Sequence, residues 1–355
     1  MESGEKREFA ARAASAVSDA AAASGGMAFD QCVDVYDERP RLAMHAAARD
    51  RRPACLVAAI PAHPVLIRES GHACYRRGVV ALPESAEPQA FKAFEHERWQ
   101  SAARVYDAEF GRLTSQIAPF LLDAAGVTRG VRMLDLASGP GYVAAGASAR
   151  GAKVTGTDFA SEMLALAREQ HPGLTFEVAD AEALPFGEGE FEAATMGFLV
   201  GHLGRPAVAV REACRVLRRG GRLAIAWWLP PQRCIPFAIV TESIRTRGRM
   251  DVGLPPAPPF ELFGDPAMLH ALLSESGFSG VESVEVPMVW RLDTAEEMFD
   301  AYLNGTARTA GALRRQTPEA LAAIRAEVIA RCAPFRTTRG LELPMPAHVA
   351  SGIKP

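Results

Sequence analysis

The chain has 355 residues and a net charge of −3, with 48% hydrophobic and 23% charged residues. This is the balance of an ordinary folded protein. It excludes the basic footprint of a nucleic-acid partner, and no apolar run is long enough for a membrane span. Arg12 and Asp19 interrupt the Ala-rich start of the chain, so it lacks the apolar region of a signal peptide and a cytoplasmic location is expected.

Residues 1–88 are expected to be an N-terminal extension rich in Ala, Arg and Pro, with weak periodicity. A helix is predicted around Glu5–Ala23 and a short strand over Ala54–Ile60, with Pro40, Pro53, Pro61 and Pro64 as breaks. His45, His63 and His72 have no metal-ligand spacing. Cys32, Cys55, Cys74, Cys214, Cys234 and Cys332 form no CxxC pair, so reduced thiols are expected, with no zinc site and no disulfide framework. No Met lies between Met44 and Met133, so a shorter product would need a non-ATG start near Val79 or Val80.

From Phe91 the pattern sharpens. Phe91, Phe94, Trp99, Val105, Tyr106 and Phe110 interleave with charges, which predicts one or two amphipathic helices and another over Thr114–Ala125. Strands are predicted near 131–136, 153–157, 174–179, 191–196 and 221–228, with helices between them; Arg211–Leu223 reads as a helix, a Gly-Gly turn and the start of a strand. Pro255–Pro259 is expected to be a loop over the site, Asp265–Gly277 a helix, Val281–Trp290 a strand, residues 294–336 helical and Pro344–Lys354 a last strand. The alternation predicts an α/β fold, Rossmann-like and doubly wound, with a mainly parallel seven-stranded sheet and helical lid elements. The corresponding division is an extension over 1–88 and one domain over 89–355, with a nucleotide-type core at 126–230 and a pocket-shaping lid at 231–345.

The chemistry concentrates where strands end. Val131–Leu136 is followed by Gly139 and Gly141, then an Ala-rich helix, then a strand ending on Asp158. This βαβ unit suits a nucleotide. Glycines let the backbone approach a ligand where a Cβ would collide, and Asp158 is placed to accept both hydroxyls of a ribose. Gly139-x-Gly141-x-x-Ala144 also fits the loose dinucleotide fingerprint. Asp135 argues against a pyrophosphate there, because a nearby negative charge disfavours an anion and favours an ammonium group. A third acid, Asp180, follows the third strand.

With these motifs in this order, Val131–Trp228 resembles a class I S-adenosylmethionine-dependent methyltransferase, of the small-molecule branch that includes ubiquinone and menaquinone biosynthesis enzymes. The likeness extends more loosely from Phe91 to the C-terminus. It implies S-adenosyl-L-methionine as cofactor and methyl transfer to an oxygen or carbon of a small organic molecule. By position it implies that Asp135, Ala137, Ser138, Gly139 and Gly141 hold the methionine part of the cofactor. Asp158 would bind the ribose, Phe159 and Met163 would lie beside the adenine, and Asp180 and Ala181 would meet its edge. Gly197 and Phe198 would line the reacting centre, and Tyr106 would sit near the cofactor. Ser138 departs from the Cys or Gly common at its position. Enzymes that methylate the amino nitrogen of adenine or glutamine resemble each other in an Asn/Asp-Pro-Pro-Tyr/Phe tetrapeptide where this chain has Met196–Leu199, which makes nitrogen a poorer expectation than oxygen or carbon.

His202 follows the fourth strand and is the candidate general base. Phe198, Trp227, Trp228 and Trp290 are candidates for an aromatic lining, and Trp99 reads as a packing anchor. Two alternatives stay open: an NAD-dependent oxidoreductase, although the chain has no Tyr-x-x-x-Lys, and a cofactor-binding protein without turnover.

Overall fold

In the computed structural model, the chain's longest apolar runs become the centre of one twisted sheet. The structure describes Leu82 and residues 84–355. The expectations for Glu5–Ala23, Ala54–Ile60, the three N-terminal histidines and Cys32, Cys55 and Cys74 lie outside the described residues. Ser85 already belongs to the fold: its N–H donates to Gly204 O and its hydroxyl to Pro256 O.

Helix α1 runs unbroken over Pro88–Thr114, where one or two helices were expected. Pro88 starts it, in the first turn where a missing N–H costs nothing. A 3₁₀ turn at Ser115–Ile117 leads to α2, Ala118–Ala124. Then come β1 (Arg132–Leu136), α3 (Tyr142–Ala149), β2 (Lys153–Asp158), α4 (Ser161–Gln170), β3 (Thr175–Val178), β4 (Phe191–Gly197), α5 (Pro206–Val216) and β5 (Leu217–Trp228). The later part holds α6 (Ile235–Arg247), α7 (Pro266–Glu275), β6 (Ser279–Val286), β7 (Val289–Leu292), α8 (Ala295–Asn304), α9 (Arg308–Arg314), α10 (Pro318–Arg331), β8 (Arg336–Thr337), β9 (Gly340–Pro344) and β10 (Ala347–Ile353).

The main sheet has seven strands in the order β3-β2-β1-β4-β5-β10-β6. β1 to β5 are mutually parallel, and β10 and β6 add antiparallel pairs. The order reverses between β1 and β4, and a crevice opens at such a switch point beyond the carboxyl ends of the strands. Met133, Leu134, Ala193, Ala194, Ala224, Ile225 and Ala226 are fully buried at the centre. Strands covered on both faces need continuous apolar runs of this kind.

Two expectations change. The single strand over Val281–Trp290 is two strands in different sheets, β6 in the main sheet and β7 in a three-stranded sheet of order β7-β9-β8. The break falls at Pro287, which cannot donate a ladder hydrogen bond. Gly220-Gly221 is not a turn before a strand: β5 runs through it, and its register against β4 jumps from Phe191↔Leu217 to Ala193↔Arg222. Gly220 has φ +74°, so a bulge there needs glycine.

α1 lies on α4 through a small apolar cluster: Ala103, Ala160, Met163 and Leu166, with Trp99, Tyr106 and Phe159 packed against it. Tyr142, at the start of α3, donates a short hydrogen bond to Asp107 of α1, whose other oxygen accepts from Gln170 Nε2 at 2.7 Å. α1 is therefore fastened both to the glycine turn and to α4. No described helix is long and apolar enough to cross a membrane.

Candidate active site

The strand ends open into a cavity of about 560 Å³. Its walls include Tyr106, Ala137, Gly139, Asp158, Phe159, Met163, Asp180, Ala181, Gly197, Phe198 and His202, which the fold gathers from five separate stretches of chain. Asp135, Ser138 and Gly141 do not line it. They shape it from behind.

Asp158 ends β2. Its Oδ2 accepts the Gly139 N–H at 3.0 Å and its Oδ1 the Ala160 N–H at 2.9 Å. The carboxylate thus braces the glycine turn, and it lines the cavity with lone pairs to spare. Burial pushes its pKa up to about 6, against the pull of those N–H groups. Asp135 is buried more completely and is pushed up to about 7, although its Oδ1 accepts the Thr195 hydroxyl at 2.7 Å. The Ala144 N–H at the start of α3 also acts on this carboxylate and, like Thr195, opposes the shift.

The two glycines differ. Gly139 has a left-handed backbone, with φ +52°, but a Cβ on it would meet nothing within 4 Å, so its surface is open to the cavity it lines. A Cβ on Gly141 would come within 2.9 Å of His171 Cδ2 and Phe176 Cζ, and φ is +90°. The need for glycine at 141 therefore comes from backbone handedness and packing against β3, rather than from approach to a ligand. Ala137 and Phe198, at the ends of β1 and β4, have φ of 52° and 57°. Non-glycine residues held in this region carry strain, which collects at functional sites. The Phe198 ring stacks on Trp228 with centroids 3.9 Å apart.

Beyond β3, Asp180 Oδ2 pairs with Lys92 Nζ of α1 at 2.7 Å. Lys92 also meets the buried Glu182 at 2.7 Å, and Glu182 receives Arg205 Nη2 at 2.9 Å. The buried Glu182 carboxylate draws both cations to it, so this network ties α1 to the β3 end of the cavity. Lys92 and Glu182 carry no motif of their own. Their partners are roughly 90 and 20 residues away in sequence, and only the fold brings them together.

His202 closes the 3₁₀ turn Val200–His202 after β4. Its Nδ1 lies 2.9 Å from Oε2 of Glu95, a residue of α1 with no exposed surface. The same oxygen accepts Trp99 Nε1 at 3.0 Å. A carboxylate only accepts, so Glu95 selects the tautomer with the proton on Nδ1 and leaves the Nε2 lone pair on the far side of the ring. Glu95 escaped sequence reasoning because an acid in an amphipathic helix reads as a solvated residue. Its one signal was the apolar spacing around it, Phe91, Phe94 and Trp99, which places it on a buried face.

Trp99 is not simply a packing anchor, since it lines the cavity and holds Glu95. Of the four aromatic candidates, Phe198 and Trp228 line the cavity. Trp227 and Trp290 do not; each is 1% exposed and donates its Nε1 to a backbone carbonyl, of Phe260 and of Glu109 respectively. The lid elements supply Phe237, Phe260, Tyr302 and Arg308 instead, and Met250–Val252 of the proline-rich connection also line the cavity. Among the described residues no group of three or more His, Cys, Asp or Glu is placed to hold a metal ion.

A seven-stranded sheet with this order, a glycine turn after β1 and an acid at the end of β2 define a nucleotide-cofactor enzyme of the methyl-transferring class. Residues 134–225 match the family model described as a methyltransferase domain. An uncharacterized protein of Mycobacterium tuberculosis is 32% identical over 225 residues, covering 61% of this chain and 78% of that protein. The demethylmenaquinone methyltransferase of Beutenbergia cavernae is 38% identical over 110 residues, covering 31% of this chain and 46% of that enzyme. A solved structure of phosphoethanolamine N-methyltransferase 2 from Haemonchus contortus, in complex with S-adenosyl-L-methionine, is 18% identical with a TM-score of 0.46, covering 79% of this chain and 61% of that one. The chain belongs to the class I S-adenosylmethionine-dependent methyltransferases. It is an enzyme that uses S-adenosyl-L-methionine, and the oxidoreductase alternative is set aside.

Proposed function

We propose that this methyltransferase acts on a hydroxyl oxygen of a planar, largely apolar small molecule, with His202 as general base and Glu95 as the residue that orients it. The observation that carries this reading is the Nδ1–Oε2 contact of 2.9 Å between His202 and the fully buried Glu95, in the wall of the cavity that also contains Asp158 and Gly139. When bound, S-adenosyl-L-methionine supplies an electrophilic methyl group on a sulfonium.

The residues present fit that cofactor. In the proposed arrangement, Asp158 accepts from the ribose hydroxyls, and Phe159 and Met163 cover one side of the adenine. Asp180 and Ala181 meet the edge of the base, and Asp135 Oδ2 draws the ammonium of the methionine part toward the turn. Gly197, Phe198 and Tyr106 stand toward the reacting end. The open surface over Gly139 and the position of Asp158 in the cavity wall both support this placement.

A hydroxyl is a weak nucleophile until its proton leaves. Nε2 of His202 takes that proton, and Glu95 stabilises the imidazolium that results. A base matched in this way contributes about 10²–10⁴-fold. Positioning supplies the rest, because a displacement at carbon gains most from holding its reactants in line. Phe198, Trp228, Phe237 and Phe260 offer flat apolar faces to a planar body, and the Beutenbergia relative, a methyltransferase of demethylmenaquinone by name, supports a small-molecule acceptor.

The test is turnover of a panel of phenols with methyl-labelled S-adenosyl-L-methionine, followed by isolation of the methylated product. His202→Ala is expected to lower kcat by about 10²–10⁴-fold, with cofactor affinity by calorimetry unchanged. Glu95→Gln should lower kcat less and shift the pH–rate profile. Turnover of His202→Ala within threefold of wild type, or methyl transfer to nitrogen alone, would overturn the reading.

A further inference from the structure

Two Lys or Arg residues are among the described cavity walls, Lys92 and Arg308. Lys92 is committed to Asp180 and Glu182. Arg308 is different. It stands at the start of α9, partly buried, and donates Nη1 to Pro255 O at 2.8 Å. No carboxylate among the described residues lies within ion-pair distance of it. A guanidinium carries five N–H donors in a planar fork, so one carbonyl leaves most of its capacity unused. Burial lowers the pKa of Arg308 from its ordinary value, and the nearby charge of Glu95 opposes that shift. The guanidinium is partly buried, forms no ion pair with a described carboxylate and keeps most of its N–H groups uncommitted, an arrangement that a bound anion completes.

The neighbours of Arg308 narrow the choice of anion. Its helix follows α8, whose Tyr302 lines the same cavity, and the facing connection contributes Phe260 and Leu254. Asp251 and Glu261 also line it. These two acids disfavour a dianion such as a phosphate monoester. A planar monoanion matches the fork of an arginine two bonds at a time. From these features, and resting on the acceptor site proposed above, we infer that Arg308 anchors a carboxylate of the methyl acceptor, making the acceptor class a hydroxylated aromatic carboxylic acid. The carboxylate end would lie at α9 and the hydroxyl end at His202.

The probes are 6-hydroxy-2-naphthoate and its methyl ester, which differ in the anionic group alone. Each is titrated by calorimetry into the full chain saturated with S-adenosylhomocysteine. Wild type is expected to bind the acid at least tenfold more tightly than the ester. Arg308→Gln should weaken the acid by roughly 10- to 100-fold, as for a lost charge-assisted pair, and leave the ester within about twofold. Arg308→Lys keeps the charge without the fork and should fall between the two. S-adenosylhomocysteine affinity, measured separately for each variant, should match wild type and reports that the sheet end of the cavity is intact. Acid and ester binding wild type alike, equal losses for both in Arg308→Gln, or no binding of the acid would each overturn the inference. Failure of the base reading shows elsewhere: it leaves His202→Ala turning over normally while the acid–ester difference persists.

Discussion

The two ends of the cavity are built in opposite ways. At the sheet end, the site residues lie in a strand or within five positions of its end, and their contacts are short in sequence: Asp158 braces Gly139, 19 residues away, and Ala160, two away. At the lid end, contacts span the chain: His202 meets Glu95 from 107 residues away, and Arg308 meets Pro255 from 53. The sheet end is rigid because it is an extension of strands whose cores are fully buried. The lid end depends on helices holding one another. A fold that keeps one nucleotide cofactor and varies its acceptor has reason to separate these two constructions.

The largest expected effect separates two glycines of the sheet end. Gly141→Val places a branched side chain at φ +90° against His171 and Phe176. Overpacking and the left-handed backbone together should cost about 2–5 kcal/mol, read as a clear drop in Tm. Gly139→Ala meets no protein atom within 4 Å. Its own φ of +52° adds a left-handed strain of about 1–2 kcal/mol, so Tm should fall less than for Gly141→Val while S-adenosyl-L-methionine binding weakens. Equal Tm losses in the two variants would mean that the turn has one purpose.

Asp158→Ala removes the brace of the turn and the proposed ribose acceptor together. Cofactor affinity should fall by about 2–4 kcal/mol, roughly 30- to 1000-fold in calorimetry. Unchanged affinity would remove Asp158 from the cofactor site.

Protonation offers a gentler probe of the same end. Burial raises the pKa of Asp158 to about 6 and of Asp135 to about 7 in the folded chain. An acid raised in this way carries no penalty below its unfolded value, where it is protonated in both states; as pH rises from there to the folded value the unfolded chain gives up its proton first, and the full cost of the buried charge is reached above about pH 7. The apo enzyme should therefore lose stability as pH rises from about 4 toward 7 through these two groups. Ribose hydroxyls and an ammonium group favour the ionised acids, so cofactor affinity should rise over the upper part of that interval. From Asp158 alone, affinity at pH 5 should be about tenfold below that at pH 7. A cofactor affinity independent of pH over this range would show that neither acid meets the ligand.

The smallest effect is expected from removing residues 1–82. Every described strand and cavity wall lies after Ser85, so cofactor affinity should stay within about twofold and Tm should change little. Extending the deletion through Gly111 removes Glu95, Trp99 and Tyr106 and should abolish turnover. Loss of cofactor binding from the shorter deletion alone would make the N-terminal segment part of the cofactor enzyme's fold.

Sequence alone was enough for the α/β class and the parallel core, and it pointed to the strand ends where the cavity opens. Buried parallel strands need long apolar runs, a tight turn needs glycine, and a strand-end acid stands out against both, so local chemistry carries that information in Val131–Asp158. The same reasoning failed at Gly220-Gly221, because a bulge and a turn ask for the same residue, and at Val281–Trp290, because period-two alternation does not say which sheet a strand joins. Only the tertiary structure decided that Glu95 faces His202, that Trp99 lines the cavity while Trp227 and Trp290 do not, and that Arg308 is the lining cation left without a carboxylate. Those are matters of packing between distant segments, where the partner of a charge or an aromatic ring is set by helix placement and leaves no spacing in the chain to read.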